Sequence, residues 1–223
     1  MSPRSPGCEM IRAVIFDIGG VLAYDVWEHL LLDNGDPANP DEPVGIASLY
    51  GLRQSDVERV GRKLWDTYSR PSGVLASGDI DLEEHYWTAF IEEMKGQLPP
   101  SIRPADLKDR TGLFIKAVNK PGMESLLKEL QCKFLHLVIC SGNTEFWFKR
   151  QMDKLGLHRF FSPRDCFVSY SVGFSKDSPG FEMFRAISQA IEVESASCLF
   201  VDDRKKDVEL ALIRMGCSRV ASH

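Results

Sequence analysis

Asp17 closes the apolar run Ala13–Phe16, and Asp202 with Asp203 closes a second such run, Cys198–Val201. A carboxylate at the carboxyl end of a parallel strand faces the crevice where α/β proteins bind ligands. Two adjacent carboxylates repel each other unless a cation or a proton intervenes. Hard oxygen donors from two strand ends suit Mg2+, which takes a few carboxylates, several waters and a substrate phosphate. Gly19 and Gly20, just after Asp17, let the chain turn sharply and let a ligand approach the backbone. A third apolar run leads into Ser141-Gly142-Asn143-Thr144, whose hydroxyl and backbone N–H groups open a helix and suit an anion. Lys176, between Gly173-Phe174-Ser175 and Pro179, supplies a cation. Each segment also has an ordinary structural reading: a glycine turn, a helix cap at Ser141, Thr144, Asp202 or Asp203, and a solvated surface lysine.

These groups converge only if the runs that carry them are neighbouring strands. Strand-type runs recur at 13–16, 135–140, 166–170 and 198–201, with a last short one at 219–221. Helical stripes separate them: Met123, Leu126, Leu127 and Leu130; Phe181, Phe184, Ile187 and Ile191; Val208, Ala211, Leu212 and Met215. Gly156 and Gly216 stand just past two helix ends. Uninterrupted apolar strands alternating with amphipathic helices predict an α/β fold, a doubly wound parallel sheet covered on both faces.

Residues 25–118 break the alternation, and no convincing strand is read there. Residues 33–43 carry turn chemistry, with Pro37, Pro40 and Pro43 among acidic residues. One helix is predicted from Ser55, with Glu58 completing a capping box and Val57, Val60 and Leu64 as its stripe. Another is predicted from Asp81, with Glu84 in the same relation and Leu82, Tyr86, Phe90 and Met94 on its apolar face. A third follows Pro104, with Leu107, Phe114 and Ala117, interrupted at Gly112. The expected organisation is a core of 11–24 and 119–223 with a helical insert at 25–118.

Bulk composition narrows the partners. Lys and Arg number 27 against 32 Asp and Glu, a formal charge of −5 over 223 residues. An acidic balance gives no electrostatic pull toward nucleic acid or an anionic membrane. No apolar run approaches the roughly 18 residues of a membrane span, and residues 1–10 read as a disordered lead-in without an apolar signal core. Cys8, Cys132, Cys140, Cys166, Cys198 and Cys217 form no C-x-x-C pair, and several lie in apolar runs. That usage points to a reducing, cytoplasmic compartment.

In chain order, Phe16-Asp17-Ile18-Gly19-Gly20-Val21-Leu22, Ser141, Lys176, and Val201-Asp202-Asp203 with Asp207 resemble the motifs of the haloacid dehalogenase-like hydrolase superfamily. The resemblance runs over nearly the whole chain. It implies a Rossmann-like catalytic core, a helical cap at 25–118, and phosphatase chemistry through a covalent intermediate on Asp17. By the same resemblance Asp17, the Gly19 carbonyl, Asp202 and Asp203 hold Mg2+, directly or through water. Ser141, with Gly142 and Asn143, then binds the transferring phosphoryl group, and Lys176 offsets the charge of Asp17 and phosphate. Asp207 orients the metal site or Lys176. A capped site implies small soluble phosphoesters as substrates, since a lid excludes large molecules and water.

Two positions depart from the family pattern. Its phosphatases usually carry a second aspartate two residues after the nucleophile, a leaving-group acid worth roughly 10²–10⁴ in rate; here that position is Gly19. A halide leaving group needs no proton, so a metal-independent 2-haloacid dehalogenase is an alternative. The family's dehalogenases, however, carry tyrosine where Gly19 stands and need no metal, and the pair Asp202-Asp203 favours phosphate. Where the family has proline after its lysine, this chain has Asp177, a carboxylate expected to weaken the electrostatic role of Lys176. Gly19 and Asp177 together motivate a further alternative, a catalytically reduced binding protein on the same fold. In the insert, Trp27, His29, Arg53, His85 and Trp87 are conceivable substrate contacts, although aromatics at helical spacing read first as core.

Overall fold

The computed structural model describes residues 10–32, 43–70, 81–118, 120–133, 135–217 and 219–221. Most of the lead-in, Cys8, and the proline-rich turn up to residue 42 lie outside them. In chain order the described residues form β1 (Ala13–Phe16), α1 (Val26–Leu32), α2 (Ile46–Leu49), α3 (Gln54–Tyr68), α4 (Leu82–Glu93), α5 (Pro104–Phe114), α6 (Lys120–Cys132) and β2 (His136–Ser141). They continue with α7 (Glu145–Leu155), β3 (Cys166–Val168), α8 (Ser169–Val172), α9 (Glu182–Ala190), β4 (Cys198–Val201), α10 (Lys205–Met215) and β5 (Arg219–Ala221). The chain divides into two compact units: Met1–Leu22 with Val118–Gly142 and His158–His223, and Ala23–Ala117 with Asn143–Leu157.

The first unit is built on a five-stranded sheet in the order β3-β2-β1-β4-β5, with every pairing parallel. β1 is central: Phe16 lies opposite Ile139 of β2 on one side and Val201 of β4 on the other. This is a doubly wound, Rossmann-like α/β fold. All of β1 is buried, which is why its sequence runs apolar instead of alternating. Ala13, Ile15, Val138 and Phe200 share one core with Phe184 and Ile187 of α9 and Ala211 and Met215 of α10.

Some sequence-based expectations shift. On α6 Met123 and Leu127 are buried but Leu126 is 46% exposed, and Leu212 on α10 is 39% exposed. A periodic stripe marks the apolar side of a helix, while burial follows the narrower strip its neighbours cover. β2 begins and ends one residue later than its apolar run, because the ladder continues to Ser141 opposite Val168. The run 166–170 gives a strand only to Val168; Ser169 starts α8, which stops at Gly173 in left-handed backbone (φ 84°).

The second unit is helical, and its β feature among the described residues is an isolated bridge between Ala23 and Ala117. Residues 143–157, which the sequence pattern places with the core, cluster with this unit. Arg150 Nη1 on α7 donates to both oxygens of Glu83 on α4, at 2.6 and 2.7 Å, and to the Lys108 carbonyl at 3.1 Å. Trp147 packs against Trp65, Tyr86 and Trp87. Trp87 is fully buried and is core.

Local signals fared unevenly. Asp81 caps α4 as expected, accepting from the Glu84 N–H at 3.1 Å. α3 starts at Gln54 with Arg53 at its cap, not at Ser55. α5 runs unbroken through Gly112; its start is fixed by Asp106, which accepts from the Arg103 N–H and guanidinium. Burial of Leu107 and Phe114 outweighs a glycine cost of about 1 kcal/mol. Among the described residues no helix is long and apolar enough to cross a membrane, and the described cysteines are free thiols.

Candidate active site

The sheet order decides which of the candidate residues meet. Asp17 leaves β1 and Asp202 leaves the adjacent β4 at the same level, since Phe16 and Val201 are paired and the Asp17 N–H donates to the Val201 carbonyl at 3.0 Å. Ser141 ends β2, the neighbour of β1 on the other side. Lys176 comes from the loop between α8 and α9. Three strand ends and one loop of a single unit therefore present their polar residues at one edge of the sheet, where parallel strands bind ligands.

Lys176 is the hub. Its Nζ lies 2.8 Å from Asp17 Oδ2, 2.6 Å from Asp202 Oδ2 and 3.9 Å from Asp207 Oδ2. It is 6% exposed, so the surface-lysine reading falls. Burial alone would push its pKa down, but Asp17 and Asp202, with a smaller contribution from Asp207, raise it instead, and the ammonium stays charged. Asp17 is held at both oxygens: Oδ1 accepts from the Ile18 N–H at 2.7 Å and Oδ2 faces Lys176. Asp202 Oδ1 accepts from the Arg204 N–H at 2.9 Å, so this aspartate also steadies the turn into α10. Burial raises the Asp202 carboxyl above the usual range against the pull of Lys176, and burial does the same to Asp207.

Asp203 completes the acidic set. Asp17, Asp202 and Asp203 each offer a carboxylate oxygen, and these oxygens all lie within 4.8 Å of one another. Such a spacing fits a divalent cation with hard oxygen ligands, and carboxylates this close are mutually repulsive without positive charge between them. Gly20 makes the approach possible. It sits at φ 72°, and a Cβ there would stand 2.2 Å from Asp203 Oδ2. The close approach that glycine permits in this loop is to the chain's own carboxylate.

Ser141 is 1% exposed at the end of β2. A Cβ at Gly142 would meet nothing within 4 Å, so the backbone after Ser141 borders open space. Asn143 is committed elsewhere: its Nδ2 donates to Gln151 Oε1 at 2.7 Å, and its Oδ1 accepts from the Thr144 N–H at 2.9 Å. Thr144, not Ser141, caps α7. The structure thus brings together Asp17, Lys176, Asp202, Asp203 and Asp207, and turns the Asn143 side chain onto its own helix. What the sequence reading missed is the reason for Gly20, whose partner Asp203 is remote in the chain.

A family model described as haloacid dehalogenase-like hydrolase matches residues 11–212. A search of curated proteins finds no match. Among solved structures, a HAD family enzyme from Bacteroides thetaiotaomicron is similar, with TM-score 0.63 and 16% identity over 96% of this chain and 93% of that one. A structure of that enzyme in complex with magnesium and inorganic phosphate gives TM-score 0.59 at 16% identity, covering 95% and 93% of the two chains. An L-2-haloacid dehalogenase from Xanthobacter autotrophicus gives 0.53 at 20% identity, covering 94% of this chain and 76% of that one. At such identities the likeness is one of fold.

Proposed function

This chain belongs to the haloacid dehalogenase-like hydrolase family, and from that premise we propose that it is a Mg2+-dependent phosphomonoester hydrolase acting on a small phosphorylated metabolite. The observation that carries the reading is the cluster of Asp17, Asp202 and Asp203 oxygens within 4.8 Å of one another, beside a buried Lys176. A dehalogenase displaces halide without a metal and has no use for such a cluster. Fold relatives include both a magnesium–phosphate complex and a dehalogenase, and the donor set supports the first of these readings.

Asp17, Asp202 and Asp203, with the Gly19 carbonyl, would hold Mg2+, which when bound neutralises their charge and that of the phosphate. Asp17 is the nucleophile. One carboxylate oxygen attacks phosphorus, the P–O ester bond breaks, and the leaving alkoxide takes a proton from water. A second water then hydrolyses the aspartyl phosphate, which restores the carboxylate and releases inorganic phosphate. Lys176 holds Asp17 in place and stabilises the negative charge of the transferring group. The Ser141 hydroxyl and the backbone N–H groups after it bind the phosphoryl oxygens. Asp207 helps fix Lys176. Because Gly19 supplies no acid, the enzyme favours esters of acidic alcohols, which leave without protonation.

The test is hydrolysis of p-nitrophenyl phosphate by protein stripped with EDTA and then titrated with Mg2+, alongside chloride release from 2-chloropropionate. Phosphate release that depends on Mg2+, with no chloride release, supports the reading. Chloride release without metal replaces it with a dehalogenase, and silence on both substrates and on a metabolite panel leaves a binding protein.

A further inference from the structure

We propose that Asp177, which stands where the family carries proline, is a positioning residue that fixes the loop holding Lys176 against α10. Its carboxylate is fully engaged away from the acidic cluster. Asp177 Oδ1 accepts from the Ser175 hydroxyl at 2.6 Å, and Oδ2 lies 3.3 Å from Lys206 Nζ on α10. The sequence expectation that it competes for Lys176 therefore gives way to a different role.

Lys176 must be carried into a buried site by a segment that is neither helix nor strand. Its Nζ has to stand between Asp17 and Asp202 with an error well below 1 Å, since misplacement on that scale costs catalysis heavily. Proline would stiffen such a loop by fixing φ. Here side chains do the stiffening. The Ser175 N–H donates to Ser178 Oγ at 3.0 Å, the Ser178 N–H donates back to the Ser175 carbonyl at 3.1 Å, and Asp177 closes the same ring through Ser175 Oγ. The Ser175 hydrogen bond, with further help from Lys206, holds the Asp177 carboxyl below the usual carboxylate range despite partial burial, so it is an anion at neutral pH.

The ring is then pinned to α10 by two crossed pairs. Lys176 faces Asp207 at 3.9 Å inside, and Asp177 faces Lys206 at 3.3 Å outside. Consecutive Lys-Asp residues on the loop thus meet consecutive Lys-Asp residues on the helix with opposite charges opposed. A slip of the loop by one residue would set like charges against each other. The outer pair is exposed, 55% at Asp177 and 70% at Lys206, so it adds little stability, and its effect is on register.

The kinetic arm of the test rests on the phosphatase reading; a second arm does not. Asp177→Ala is expected to lower kcat on p-nitrophenyl phosphate about tenfold with KM and melting temperature little changed, a loss in keeping with partial misplacement of a catalytic group. Asp177→Asn keeps the acceptor for Ser175 and is expected to regain most of that loss. Lys206→Ala is expected to lower kcat about twofold, as befits an exposed pair, and to add nothing to Asp177→Ala. In parallel, the Nζ signal of Lys176 in protein labelled with 15N-lysine is expected to shift in Asp177→Ala and to return toward wild type in Asp177→Asn. An unmoved Lys176 signal in Asp177→Ala, or a kcat equal to wild type, overturns the proposal. A wild-type protein that hydrolyses no phosphoester overturns the phosphatase reading and leaves the Lys176 signal to decide this one.

Discussion

Both units bury charge, and they balance it differently. In the helical unit Glu83 is 2% exposed, and Arg150 meets both of its oxygens. One anion faces one cation, and the same guanidinium nitrogen also reaches the Lys108 carbonyl at 3.1 Å. In the sheet unit a single buried ammonium, Lys176, faces Asp17, Asp202 and Asp207, with Asp203 alongside. Removing charges from water is costly even when they are paired, and neighbouring carboxylates repel one another. Folding alone accounts for the first arrangement. The second also suits a cation site, which is the contrast between a buried ion pair that holds helices together and a cluster proposed to bind and react.

That contrast can be broken in order of expected effect. Asp17→Asn should lower phosphatase kcat by at least about 10⁴-fold, the scale of a lost nucleophile, without loss of stability in urea unfolding. Glu83→Gln should do the reverse. It leaves Arg150 partly buried without its anion and should cost about 3 kcal/mol in urea unfolding, with kcat on p-nitrophenyl phosphate unchanged. If both variants lose activity together, or both lose stability together, the distinction between the two clusters collapses.

A smaller effect probes the acidic cluster as a cation site. Mg2+ should stabilise wild type relative to EDTA-treated protein and leave Asp203→Asn largely unmoved, because one proposed ligand of the cation is gone. Thermal melts with and without Mg2+ read both. The smallest effect is a surface control in the helical unit. The Lys108 hydrogen bond first, and then the Glu84 N–H, hold the Asp81 carboxyl below the usual range. Its folded-state pKa thus lies below the unfolded value of about 3.9, so its contribution is present above that value and is lost as pH falls through the folded value. Asp81→Ala should cost about 1 kcal/mol at pH 7 in urea unfolding, a cap's usual worth, and the gap from wild type should narrow in acid.

What the sequence made legible follows from where the information is local. Each of β1 and β4 is adjacent in the chain to the carboxylate that ends it, so the apolar run and its acidic stop announce both the strand and a candidate site residue. Lys176 was legible only through motif order, because nothing local distinguishes a buried lysine in a loop from a solvated one. Three features needed the fold. Arg150 and Glu83 are 67 residues apart, so no periodicity ties α7 to α4. Gly20 looks like any turn glycine until Asp203 is seen against it. Leu126 and Leu212 lie on apolar stripes, yet the neighbouring elements cover only part of each stripe.

Asn143 shows how one local pattern carries two readings. Its place in Ser141-Gly142-Asn143-Thr144 suggests an anion-binding loop, but a carboxamide satisfies its hydrogen bonds with whatever polar group is nearest, and Gln151 and the Thr144 N–H are at hand. Side chains at a loop-to-helix junction can serve a ligand or the helix itself, and spacing does not distinguish the two.

The central claim is that the acidic cluster makes Asp17 a nucleophile toward phosphate when a divalent cation is present. The most direct measurement is trapping: protein turning over p-nitrophenyl phosphate is quenched with borohydride, which reduces an aspartyl phosphate to homoserine, and the peptides are mapped by mass spectrometry. The expected result is homoserine at position 17, appearing only when phosphoester and Mg2+ are both supplied. Reduction at another carboxylate, or the same yield at position 17 without Mg2+, would contradict it.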